Sequence, residues 1–172
     1  LKKFDSLYHT IFMNKHYVVH YKGIKYKLET IKSKKDKVYI IDNKLIIEST
    51  KGTQQHFSSL YIKFLKETVE EEITKLYYDL EKSFYEIKIP KIIVKKIARY
   101  LGYNHIDYIE ISPKIAKYDP IYIKVLLYHE VCHSLIRGHA DNFWDLLETK
   151  LPGGVELNKK MNETVYYDAL YR

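Results

Sequence analysis

His129, Glu130, Val131, Cys132 and His133 form one uninterrupted run, and His139 follows shortly after it. Two histidines four apart on a helix lie one above the other on the same face, so their imidazoles can grip one metal ion without backbone strain. Glu130 is rotated by about 100° around such a helix from His129. From there its carboxylate cannot easily share the ion with both histidines, but it can reach the water that the ion activates. A catalytic zinc takes three protein ligands and keeps one position open. His129, His133 and His139 would fill the three, with Glu130 as general base. The chemistry this predicts is zinc-assisted hydrolysis.

The surrounding residues supply the elements such a site needs. Asp119-Pro120 predicts a helix start, with Asp as N-cap and Pro at the first helical position. An apolar run (Ile121, Ile123, Val125, Leu126, Leu127) carries that helix into the histidines. Gly138 predicts its stop, because glycine tolerates the left-handed turn that ends a helix. The chain can reverse there and bring His139 back under the helix. Glu148, further along, is a rival third ligand; His139 is nearer. Cys132 could offer a thiolate, but its place between the motif histidines reads better as a small buried packing residue. The bland alternative is a buried helix whose histidines only pack or hydrogen-bond. Three histidines and a glutamate at this spacing weigh against it.

The segment from Tyr128 to Trp144 resembles H-E-L-x-H-x-x-x-x-x-H-x-x-x-F-W, the pattern of the YgjP-like metallopeptidases. Related patterns occur in the WLM and SprT-like zincins. Upstream, Ile106 to Ser112, the Pro-containing helix start and Ile92 to Gly102 fall in the same order as in that family. So do N-terminal strands followed by a long helix. The resemblance runs from about Tyr17 to Leu151, and its specific part is 129–144. It implies an α+β fold: a zincin-like minimal metalloprotease domain with an N-terminal β-hairpin and sheet lobe, a long scaffold helix, and an active-site helix carrying the H-E-x-x-H motif. It implies Zn2+ as cofactor and a protein or peptide as substrate, cut as by an endopeptidase. In zincins the strand before the zinc helix forms the rim of the cleft. By resemblance, residues 105–112 are the expected substrate edge, with Ile106, Tyr108 and Glu110 on it. Tyr100, Tyr103 and His105 fall where a zincin often places an oxyanion donor, and Arg99 and Arg137 are alternatives. The chain departs from the family at Arg99-Tyr100-Leu101-Gly102-Tyr103, where Arg-Trp-Gly-Ser-Cys is usual. A metzincin would need Gly seven residues after the first histidine, and Ile136 stands there.

Composition bounds the rest. The chain has 172 residues, 46% of them apolar and 30% charged, which suits a folded soluble protein of one domain. An N-terminal lobe with the long helix would span 1–88, and a catalytic part 89–172. No apolar run reaches the eighteen residues of a membrane span, and the basic start has no apolar stretch of a signal peptide after it. The first residue is Leu, so a processed start is expected. With a single cysteine, an intracellular, cytoplasmic location is expected. The net charge of +7 favours anionic partners, nucleic acid among them. A protease acting on DNA-associated protein, as SprT-like and WLM zincins do, is therefore an alternative. A non-catalytic zinc-binding adaptor is another. The lysines are spread out, however, and their densest cluster (Lys32, Lys34, Lys35, Lys37) reads as a solvated turn. Eighteen tyrosines could stack bases, but they fall at strand and helix positions where a ring packs and its hydroxyl stays wet. Gly-rich phosphate loops and G-x-S-x-G serine sites are absent.

Along the chain, residues 1–14 suggest no element. Strands are expected from His16, with a Lys22-Gly23 turn, then alternation at Ile24, Tyr26, Leu28 and Thr30. Val38 to Ile41 and Leu45 to Ile47 read as a hairpin around Asp42-Asn43. Ser58 or Ser59 is expected to cap a long helix with the stripe Leu65, Val69, Ile73, Leu76 and Leu80. Lys91 to Ala98 and His105 to Ser112 read as strands. Asp141 or Asn142 starts a helix that Leu151-Pro152-Gly153-Gly154 breaks, and an amphipathic stretch from Val155 to Tyr171 is expected to dock on the outside.

Overall fold

The computed structural model describes residues 17–166, 170 and 171; the first sixteen residues, with the expected strand start at His16, and part of the final stretch lie outside that range. Strands β1 (Val18–Tyr21) and β2 (Ile24–Lys32) are joined by Lys22 and Gly23, both at positive φ (51° and 77°). That is the turn whose twist matches paired strands. β3 (Lys37–Ile41) and β4 (Lys44–Ser49) form the expected hairpin, with Asp42 at φ 53°. The sheet order is β1-β2-β4-β3, and β4 lies parallel to β2. Register sets Leu28 beside Leu45 and Ile40 beside Leu45, so one face is apolar. Leu45 and Ile47 on that face are fully buried.

The next element, helix α1, spans Gln54–Ser83 and packs on β4. Its N-cap is Thr53, whose side chain accepts from the His56 amide at 3.3 Å, and not Ser58 or Ser59. Those two serines sit a turn inside the helix, where Ser58 donates to the Leu170 carbonyl and Ser59 to the Gln55 carbonyl. The expected stripe is buried at Leu65, Val69 and Leu80 and half-buried at Ile73 and Leu76, and Phe57 and Tyr61 extend it.

A second sheet holds β5 (Lys91–Val94), β6 (Gly102–Asn104) and β7 (Tyr108–Ile111) in the order β5-β7-β6. Two expectations are corrected here. The strand expected to reach Ala98 ends at Val94. The strand expected over 105–112 is only Tyr108–Ile111, and it is central: β5 pairs with one side and β6 with the other. Residues 105–107 instead turn the chain from β6 into β7. Ile106 takes φ 80° there, and its amide donates to Asn104 Oδ1 at 2.8 Å. Ile106, Tyr108 and Glu110 are therefore not an edge; β6 is.

A short 3₁₀ turn (Pro113–Lys117) follows, and its Ala116 and Lys117 carbonyls accept from the Lys22 and Gly23 amides. Helix α2 (Ile121–Cys132) begins after Asp119, whose carboxylate accepts from the Ile121 amide at 2.9 Å. It is buried on most sides, which is why its sequence is apolar almost throughout. It ends at Cys132 rather than Gly138, with His133 as its C-cap and tighter turns over Ser134 and Leu135. Helix α3 (Asp141–Lys150) and helix α4 (Gly154–Glu163) complete the described elements, separated by Gly153 at φ 80°. Helix α4 does not merely coat the outside, since Asn158 and Met161 are buried. Buried apolar residues from both sheets and all four helices form one continuous cluster.

Candidate metal centre

His129 occupies the last turn of α2, His133 its C-cap, and His139 the segment between α2 and α3. Gly138 at φ 78° makes the reversal that a side chain would resist. The three Nε2 atoms converge: His129 to His133 is 3.2 Å, and His139 lies 3.1 Å from each. Phe143 is the floor beneath them. Its ring stacks on His133 at 4.4 Å and meets His129 and His139 edge-on, each at 4.9 Å. Trp144 stacks on His139, and its Nε1 donates to the His139 carbonyl at 3.1 Å.

The far nitrogens fix the tautomers. His129 Nδ1 faces Asn158 Oδ1 at 3.0 Å, and His133 Nδ1 faces the Ile136 carbonyl at 3.1 Å. Oxygen acceptors require the hydrogen on Nδ1, which leaves the Nε2 lone pairs of His129 and His133 facing one another. Lone pairs that close repel unless a cation lies among them. Burial first, then the neighbouring His133 and His139, push His129 down to about 4; burial also lowers His133. Both are neutral near pH 7, as metal ligation requires. A tetrahedral ion held at ~2.0–2.1 Å from each nitrogen would ask for N···N separations of about 3.3–3.4 Å. The observed triangle fits that within a few tenths of an ångström, so the donor set suits zinc in number, type and spacing.

Glu130 lines the same cleft as the imidazoles. It is 5% exposed, and burial pushes its carboxyl up to about 7, with the Asn104 backbone amide pulling weakly the other way. Its own carbonyl accepts from Asn104 Nδ2 at 2.7 Å, and the same Nδ2 reaches Ser134 Oγ at 2.8 Å. One amide side chain thus ties β6 to the end of α2. Gly102 lies flush against the carboxylate. A Cβ there would come within 3.1 Å of Glu130 Cγ, Glu130 Oε1 and Leu126 Cδ1.

A cleft opens over this group in two lobes of about 360 and 380 Å³, which share Tyr100, Gly102, His129, Glu130 and His139. Arg99 lines one lobe; Tyr103 and Arg137 line the other. The expected donor His105 lines neither. It pairs with Glu110 at 3.0 Å and stacks on Tyr108 at 4.5 Å. Glu110 is buried, bonded also to Lys95 at 2.5 Å, and Lys95 and then His105 hold its carboxyl below the ordinary value. Glu148, the rival ligand, is engaged elsewhere: its carboxylate accepts the Gly153 and Val155 amides at 2.6 and 3.2 Å, anchoring the start of α4. Cys132 is fully buried, its thiol pushed up to about 12 by that burial, and it is no part of the histidine group. Sequence reasoning missed Asn158, Asn104 and Gly102. Asn158 left one faint signal, a polar residue in the buried row Gly154, Asn158, Met161 of an amphipathic helix.

A mixed α+β fold brings three imidazoles together with a buried glutamate beside them, a donor set that fits a metal ion. The family model described as YgjP-like, metallopeptidase domain matches residues 3–164, and the chain belongs to that family of metallopeptidases. No curated protein matches the chain. A metallopeptidase works with a metal cofactor on protein or peptide substrates. No described helix is long and apolar enough to cross a membrane.

Proposed function

We propose that this protein is a zinc-dependent endopeptidase with Glu130 as its general base. The observation that carries the reading is the convergence of three Nε2 atoms beside a buried carboxylate, at the meeting point of two open lobes. His129, His133 and His139 would hold the ion. When bound, zinc supplies Lewis acidity, drawing the pKa of a coordinated water toward ~7 and polarising a carbonyl. Glu130 takes the proton of the attacking water, keeps it in its water-poor pocket, and delivers it to the amine that leaves.

The substrate chain lies along β6. In an antiparallel ladder, bonding alternates along a strand. Leu101 and His105 bond to β7, so Gly102 and Asn104 turn their backbone groups to the other side. The Asn104 carbonyl is taken by Arg137 at 3.2 Å, which leaves Gly102 as the natural backbone partner for a peptide. Tyr100, the tyrosine common to both lobes, would steady the developing oxyanion. A cleft open to either side of the centre suits cleavage within a chain.

Metal analysis and peptide turnover test this together. One zinc per chain is expected, lost in the His129→Ala/His133→Ala double variant. Glu130→Gln should keep the zinc and lose at least about a hundredfold in kcat. Turnover that survives Glu130→Gln removes the assigned base.

A further inference from the structure

The walls of the cleft are uneven in charge. Among the described residues, the only carboxylate in either lobe is Glu130, while each lobe contains an arginine. Arg137 is exposed but tethered. Its Nη1 donates to the Asn104 carbonyl, and Asn104 is anchored in turn to the Glu130 carbonyl, Ser134 and the Ile106 amide. One of five guanidinium donors is used there, and the remaining fork stands at the wall that Tyr103 and His133 also line. Among the described residues, the one acidic side chain of that lobe, Glu130, is buried and packed against Gly102. Arg137 lines one lobe only, the lobe that also holds all three imidazoles.

We propose that Arg137 is a specificity residue that receives a carboxylate of the bound peptide in the lobe lined by Tyr103 and His133. The inference rests on the peptidase reading above and names the substrate class: peptides with an acidic group on one side of the cut. A planar guanidinium fork matches a carboxylate with two parallel hydrogen bonds, which an ammonium cannot copy. The carboxylate has two sources, an Asp or Glu side chain or the peptide's own C-terminus.

The test uses the zinc-loaded full chain and fluorescent peptides in matched sets: internal Glu against Gln, and free C-terminus against amide. Binding is read by anisotropy on the Glu130→Gln protein, and kcat/KM on the native one. A carboxylate-bearing peptide should bind on the order of tenfold tighter than its neutral match. Arg137→Gln should bring that ratio close to one, Arg137→Lys should keep part of it, and Arg99→Gln should leave it. Added salt should shrink it. Preference in the internal set assigns a side chain; preference in the C-terminal set assigns the terminus and makes the enzyme a carboxypeptidase. Equal binding within both sets, or a ratio that persists in Arg137→Gln, overturns the proposal. Cleavage of no peptide by the native protein would sink the peptidase reading, while the binding arm would still decide the carboxylate.

Discussion

The two sheets do different work. The four-stranded sheet is built from local hairpins: positive-φ residues at Lys22, Gly23 and Asp42 turn the chain, and one face covers α1. The three-stranded sheet is assembled from strands of three or four residues, with β7 slotted between β5 and β6 so that β5 pairs in parallel with a strand that is not next in sequence. Its edge, β6, is held by the Asn104 side chain and by Arg137, both reaching across to the end of α2. The first sheet is a scaffold whose errors should cost stability. The second is a wall of the cleft whose errors should cost chemistry.

One glycine from each sheet separates these two outcomes. Gly102→Ala puts a Cβ 3.1 Å from the Glu130 carboxylate in a strand conformation that alanine accepts, so Glu130 must shift by a few tenths of an ångström. The expected loss is roughly 10–100-fold in kcat, with the melting temperature nearly unchanged. Gly23→Ala sits at φ 77°, 3.3 Å from the Asp119 amide. It should destabilise the fold by about 1 kcal/mol or more and leave kcat per folded molecule intact. If Gly102→Ala keeps full turnover, β6 is not pressed against the base.

Asn158 sharpens the contrast from the other side of the metal group. Asn158→Ala removes the oxygen that orients His129, and metal affinity should fall by about 10–100-fold. Competition with a calibrated chelator measures this without any substrate. Unchanged affinity would show that Phe143 alone holds the ring.

The same contrast explains what could be read in advance. The hairpins of the first sheet were legible because turn residues and apolar alternation are local. The histidine group was legible because four-residue spacing on a helix is local, and Gly138 marks the return even though α2 stops earlier. The edge strand was misplaced because Tyr108 to Ile111 has the β-branched residues of a strand on view, whereas Gly102-Tyr103-Asn104 has no pattern at all. What makes β6 a strand is pairing with Ile109 to Ile111 across a turn that carries no glycine signal, and a long-range clamp to Glu130. Asn158 comes from α4, beyond any window in which His129 could be seen with it.

Behind β6, the Glu110 carboxylate with Lys95 and His105 gives a pH signature. Its pKa is lower folded than unfolded, where it is near 4.5. A depressed acid contributes its full stability above the unfolded value and loses it as pH falls through the folded one. Native protein should therefore weaken in urea below about pH 4.5, and Glu110→Gln should flatten that part of the profile although it is weaker at neutral pH. An identical acid limb in the variant would remove Glu110 from the account.

The smallest expected effect concerns the start of α1. Thr53 accepts from the His56 amide, and its extended backbone (φ −96°, ψ 150°) is that of an N-cap. Thr53→Ala should cost about 1 kcal/mol, measured by urea unfolding, with no change in metal binding or kcat. Ser59→Ala, one turn inside the helix and bonded only back to Gln55, should cost a few tenths of that or gain slightly, since a mid-helix serine competes with the backbone. The pair is decisive because both residues are exposed and polar, so burial does not separate them. If Ser59→Ala proves the costlier, the helix begins where its serines suggest, and the scaffold is shorter by a turn.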